Sequence, residues 1–326
     1  MENKANYSEL MIIDGLNVSK WYRPVFEAMH KGGVTAANCT CCIWEDFPAT
    51  MKAVADWKQW IQKNSDILTQ VYSTKDIRRA KKENKVGIIL GWQNTTGFGD
   101  YLPLVQVYKE LGLGIVQLAY NTANTVGCGC YEKNDGGLTD FGRALVDEMN
   151  RVGILIDLSH VGPKTSRDAI EYSQKPVAYS HCLPAALKNH SRNKSDEDLK
   201  FIADNGGFVG VTMFPPFLKN GAKSTAQDYI EAIEYVIDLV GEDHVGIGTD
   251  FTQDQDDSFF SYITHDKGYG RSLTEFGDII NPKGFRQIDD FPNLVTELEH
   301  RGWKQNRIEK IMGENWISFL ELVWGV

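Results

Sequence analysis

Short apolar runs, rich in β-branched residues, recur along the chain, and stretches of helical periodicity separate them. Eight runs read as strands: residues 10–17, 34–41, 86–92, 115–121, 155–160, 177–182, 208–214 and 245–251. They begin apolar on both faces, as strands of a parallel sheet covered on both sides should. Helical spacing marks residues 51–62, 101–111, 139–152 and 226–240, and Ser195 followed by Asp196, Glu197 and Asp198 places acids in a first helical turn. Residues 285–326 read as two or three helices packed on the wall of the sheet. Strand and helix alternate throughout, which predicts an α/β fold, a closed (β/α)8 TIM barrel with extra C-terminal helices. An open doubly wound sheet is the alternative, but no Gly-rich phosphate fingerprint follows the first strand. With no repeat or linker in view, residues 1–326 are expected to form a single domain.

Length and charge narrow this picture. At 326 residues the chain can build such a barrel, which needs about 250. A net charge of −10 argues against nucleic acid and against anionic membrane surfaces. No apolar run is long enough to span a bilayer, and residues 1–10 have no basic and apolar leader. A cytoplasmic protein with reduced thiols is expected, so the six cysteines are not read as a disulfide scaffold.

In barrels of this kind the C-terminal strand ends face the active site. The fifth strand ends in Ser159-His160, the sixth in Ser180-His181 and the eighth in Thr249-Asp250. A lone histidine is more often a structural residue. Two at adjacent strand ends, with an acid on the closing strand, suit a metal site in which a carboxylate takes a proton from metal-bound water.

Several segments extend this pattern: KPVAYSHC, GLTDFGRALVDEMNRVGILIDLSHV, Arg192-Asn193 followed by Asp196, VGIGTDF, GENW near the C-terminus, and Asp76 to Ala80 leading into Val86. In this order they resemble the membrane (renal) dipeptidases of the amidohydrolase superfamily, over almost the whole chain. The resemblance implies a metal-dependent hydrolase barrel with a two-zinc site that cleaves dipeptides. It places His160 and His181 as ligands of one metal, Asp250 beside the attacking water, and Arg192 on the carboxylate of the substrate, a role that suits a guanidinium fork.

The chain also departs from that pattern. Where the family has a His-x-Asp pair at the end of the first strand, Leu16 and Val18 stand, and residues two apart on a strand share a face. The metal-bridging glutamate after the third strand matches Gln93, and a histidine after the fourth matches Tyr120. One zinc or none is therefore expected, held by His160 and His181 with Asp250 or Gln93 and water completing the shell. Arg192, Asn193 and Tyr120 are expected to meet the substrate.

All six cysteines (39, 41, 42, 128, 130 and 182) should lie near the catalytic face; they read as small buried residues, with Cys182 the most plausible nucleophile. His265 and the Gly268–Arg271 stretch suggest a covering loop. The expected reaction is cleavage of the amide bond in a dipeptide or small N-substituted amino acid with a free carboxylate. The alternative is a barrel that binds a small ligand without turnover, or with help from a cysteine. A homodimer is the expected partner, with the apolar tail around Trp316 and Trp324 as a surface for it or as a cap on the barrel.

Overall fold

The structure, a computed structural model, describes residues 7–325. The expectation of no leader rests in part on residues 1–6, which lie outside the described residues. Nine strands follow in chain order: β1 (Ile13–Asn17), β2 (Ala36–Cys42), β3 (Leu68–Gln70), β4 (Val86–Trp92), β5 (Leu113–Gln117), β6 (Leu155–Asp157), β7 (Ala178–Cys182), β8 (Phe208–Val211) and β9 (Val245–Ile247). All pair in parallel, in the order β1-β2-β4-β5-β6-β7-β8-β9. The ring closes where Asp250 N donates to Leu16 O at 3.0 Å and Val18 N donates to Phe251 O at 2.9 Å. Closure rules out the open sheet.

The eight strands expected from the sequence are the eight of the ring. The ninth, β3, is three residues long and too short to leave a periodic signal. It pairs with the first half of β4, from Leu68↔Val86 to Gln70↔Ile88, while β5 takes the second half from Leu90. Several strands stop earlier than the apolar runs do: β6 ends at Asp157, β8 at Val211 and β9 at Ile247. Beyond those points side-chain carboxylates take over from the ladder and accept backbone N–H groups. Asp157 Oδ1 accepts from Ser159 N (3.0 Å) and Ser180 N (2.9 Å), and Asp14 Oδ1 accepts from Thr249 N (2.7 Å).

Helices Phe47–Lys63, Leu104–Glu110, Asp140–Val152 and Ala226–Val240 fall where the periodicity placed them, with ends shifted by a few residues. Thr139 Oγ1 caps its helix by accepting from Gly142 N at 2.9 Å, and Gly153, at φ 75°, stops it. The tail forms Phe291–His300, Gln305–Glu309 and Asn315–Trp324. The last of these closes the N-terminal end of the barrel. Its Trp316, Ile317, Phe319 and Leu320 pack against Ile13, Ile89, Ile115, Leu155 and Phe208 from the strand starts. Trp316 Nε1 donates to Ile247 O at 2.8 Å, and its indole fits only because Gly15 and Gly246 lack side chains; a Cβ at Gly15 would lie 2.5 Å from the ring. Trp316 is thus a floor residue, buried and not free to form an interface. No helix among the described residues is long and apolar enough to cross a membrane.

Candidate active site

The two imidazoles meet over the barrel mouth. His160 Nε2 and His181 Nε2 are 3.0 Å apart. Each ring is fixed from its other nitrogen: His160 Nδ1 lies 2.7 Å from Asn121 Oδ1, and His181 Nδ1 lies 2.7 Å from Ser180 Oγ. Ser180 Oγ in turn donates to Asp157 Oδ2 at 2.5 Å. Burial pushes both imidazoles well below the usual histidine range, and the Arg192 charge adds to this, so both are neutral at physiological pH. Tyr120 stacks on His160 with ring centroids 4.1 Å apart and is itself packed edge-on by Trp44.

Asp250 shares a cavity with His160, Gln93 and Tyr120. Its backbone is in the left-handed region at φ 59°, held there by the bond to Leu16 O. Unlike Asp14 and Asp157, its carboxylate has no side-chain hydrogen bond among the described residues. Burial pushes its pKa up to about 7; Arg192 opposes that shift, while Asp14 and Asp157 add to it. Apolar residues complete the cavity: Val18, Ile43, Phe214, Phe217, Phe259, Ile263 and Phe276. Only about 20 Å³ is open to the centre of a water molecule, room for about one water.

The remaining expected residues surround this centre without all entering it. Gln93 Oε1 accepts from Gln117 Nε2 at 3.3 Å and its Nε2 donates to Thr40 Oγ1 at 3.0 Å. Arg192 is 1% exposed; Nη1 donates to Ser159 O, Nη2 to His181 O at 3.5 Å, and Nε has no partner among the described residues. Its guanidinium lies 5.3 Å from the Phe217 ring centroid. Asn193 Nδ2 donates to Lys188 O and Phe217 O, fixing the loop that carries that phenyl ring. Cys182 is buried and its thiol is pushed up to about 12, far from a reactive thiolate. His265 is partly exposed on the covering segment, bonded to Ser261 O.

Sequence reading assigned no role to Asn121, Ser180, Asp157 or Lys194. The first three could have been found from the D-x-S-H and S-H spacings and from the residue after Tyr120. Lys194, two places beyond Arg192, gave no signal, because a lysine there reads as surface.

The donor set bears on zinc. Two nitrogens at about 2.05 Å on a tetrahedral ion stand about 3.3 Å apart, so the imidazole pair has nearly the spacing to share one ion, and the fixed Nδ1 atoms leave both Nε2 atoms facing it. Leu16 and Val18 are buried hydrocarbon. Among the described residues no group of three or more His, Cys, Asp or Glu is gathered to hold a metal. The imidazole pair offers two ligands to an ion, and the Leu16 and Val18 side chains offer none.

The architecture is that of a (β/α)8 barrel with its polar centre at the C-terminal face. The chain belongs to the membrane dipeptidase family (peptidase family M19), whose profile matches residues 20–261. It is similar to dipeptidase tcpJ of Claviceps purpurea, 28% identical over 262 residues, covering 79% of this chain and 56% of that one. Dipeptidase aclJ of Aspergillus oryzae is 28% identical over 261 residues, with 78% and 56% covered. The chain therefore spans a little over half the length of these curated relatives. An amidohydrolase from Pseudomonas aeruginosa superposes with a TM-score of 0.97 at 57% identity, covering 98% of both chains. A metallo peptidase from Rhodobacter sphaeroides, solved with a phosphinate mimic of the dipeptide L-Ala-D-Ala, shares the fold at TM-score 0.82 and 20% identity, covering 97% of this chain and 99% of that one.

Proposed function

We propose that this chain hydrolyses the amide bond of a dipeptide or small N-substituted amino acid with a free carboxylate, using at most one metal ion held by His160 and His181. The observation that carries this reading is the pair of neutral imidazoles, 3.0 Å apart, beside a cavity into which Asp250 presents an unengaged carboxylate. An ion on the two Nε2 atoms would supply Lewis acidity. Asp250 handles the proton. With a pKa near 7 it accepts a proton from the attacking water as the C–O bond forms, and returns it to the nitrogen as the C–N bond breaks. The Arg192 charge, set beneath Phe217, attracts the carboxylate of the substrate. The apolar walls exclude other water and favour a small hydrocarbon side chain.

The test is metal analysis of protein purified without chelators, with hydrolysis of dipeptides and N-acyl amino acids measured with and without added zinc. His160→Ala should lower turnover by at least about 100-fold, because one of two ligands is lost. No turnover under any condition, with His160→Ala indistinguishable from the parent, would support a ligand-binding barrel instead.

A further inference from the structure

The turn that presents His160 has little support from the sheet. β6 ends at Asp157, and its register with β7 is the single pair Asp157↔Ala178. Beyond it, Leu158 N donates to Ala178 O, His160 N to Gln117 Oε1 and Cys130 N to His160 O, while buried cations from one short segment take the other three carbonyls of the turn. Lys194 Nζ donates to Leu158 O at 3.2 Å and to Val161 O at 2.9 Å, while Arg192 Nη1 takes Ser159 O between them. The backbone of Lys194 is tied elsewhere: Lys194 N donates to Leu183 O and Ala185 N donates to Lys194 O, both at 2.8 Å, in the stretch that follows His181. Lys194 therefore braces both ends of the His160 turn against the stretch after His181, beside Arg192, which joins Ser159 O to His181 O, and Ser159 Oγ, which accepts from His181 N at 3.0 Å.

This brace is costly. Lys194 is 5% exposed and forms no salt bridge among the described residues; its ammonium lies 4.7 Å from the Tyr179 ring centroid. Burying a charge without a counter-ion is strongly unfavourable, and well-packed hydrocarbon of similar volume would avoid the penalty. What hydrocarbon cannot do is hold both ends of a four-residue turn.

Building on the hydrolase reading, we propose that Lys194 is a positioning residue: by clamping the Leu158 and Val161 carbonyls to the segment after His181, it sets the distance and angle between the two imidazoles. Lys194 does not line the cavity, so it acts through the histidine turns and not by touching substrate.

Lys194→Met keeps the volume and removes the donors. Two measurements test it, with folding checked by cooperative thermal melting. The first is the NMR signal of the His160 imidazole N–H that faces Asn121, assigned by its loss in His160→Ala; it should shift or broaden in Lys194→Met and recover in Lys194→Arg. The second is kinetics: kcat should fall about 10–100-fold, as a misplacement of about 1 Å would cause, with KM nearly unchanged. A folded Lys194→Met protein with the parental signal overturns the proposal. If the parent has no turnover, the hydrolase reading fails, yet the NMR arm still decides the role of Lys194. Should Lys194→Met not fold, Lys194→Gln, which keeps one neutral donor, takes its place. If that variant also fails to fold, Lys194 is a requirement of the whole barrel and the positioning role falls.

Discussion

Asp250 shows how one residue trades stability for chemistry. Its carboxylate is buried, lacks a hydrogen-bond partner among the described residues, and sits on a left-handed backbone. Because its folded pKa of about 7 is above the unfolded value, its contribution to stability is complete below about pH 4 and is lost as pH rises through 7. Asp250→Asn keeps the shape, removes the charge, and suits the left-handed conformation. That variant should be inactive yet more stable than the parent at pH 8, by about 2–4 kcal/mol, with the gain vanishing at pH 4. Chemical denaturation at the two pH values measures it. Turnover of the parent should rise with pH through about 7, as Asp250 ionises to become the base.

At the scale of elements, the segment after β9 stands out. The helix Asp257–Thr264, capped by Asp256, supplies Phe259 and Ile263 to the cavity roof, and Phe276 follows from the loop beyond. Space for about one water cannot admit a dipeptide, so this cover has to move for the proposed reaction. It packs on Val18, Ile43 and Tyr120 through Ile263 and Phe259, and polar bonds pin it: Tyr262 OH donates to Glu45 Oε1 at 2.9 Å, Trp44 Nε1 to Tyr262 O at 3.2 Å, and Thr122 Oγ1 to Asp266 Oδ1 at 2.9 Å. Tyr262→Phe removes the first, which should speed amide hydrogen exchange in residues 257–264 by about 5- to 10-fold, the effect of about 1 kcal/mol. Exchange in β4 should not change. Equal acceleration in both would mean the cover is an inseparable part of the barrel.

Across the whole molecule, the C-terminal helix and the catalytic face work at opposite ends of one ring. Trp316 fills the floor that Gly15 and Gly246 leave open, so Trp316→Ala should cost about 3–5 kcal/mol. The loss would appear as a lower midpoint in urea. Trp316 is buried and offers no surface to a partner, so light scattering should report the same mass before and after the substitution.

Much of this arrangement was readable along the chain. The strand runs and helical stretches are local patterns, and their alternation was enough for the barrel. His160, His181 and Asp250 could be picked out because strand ends in such a barrel converge on one face, and Leu16 and Val18 could be seen as hydrocarbon because period-two spacing assigns a side. What depended on three dimensions was how each side chain spends its hydrogen bonds. Gln93 is engaged by Gln117 and Thr40, Arg192 by two carbonyls, and Lys194 is buried beneath a turn 33 residues away in sequence. The floor role of Trp316 and the closure of the cavity also belong here. Periodicity reports which face a residue takes relative to its neighbours. It carries no information on which distant polar atom a side chain will meet, and that depends on packing between elements far apart in the chain.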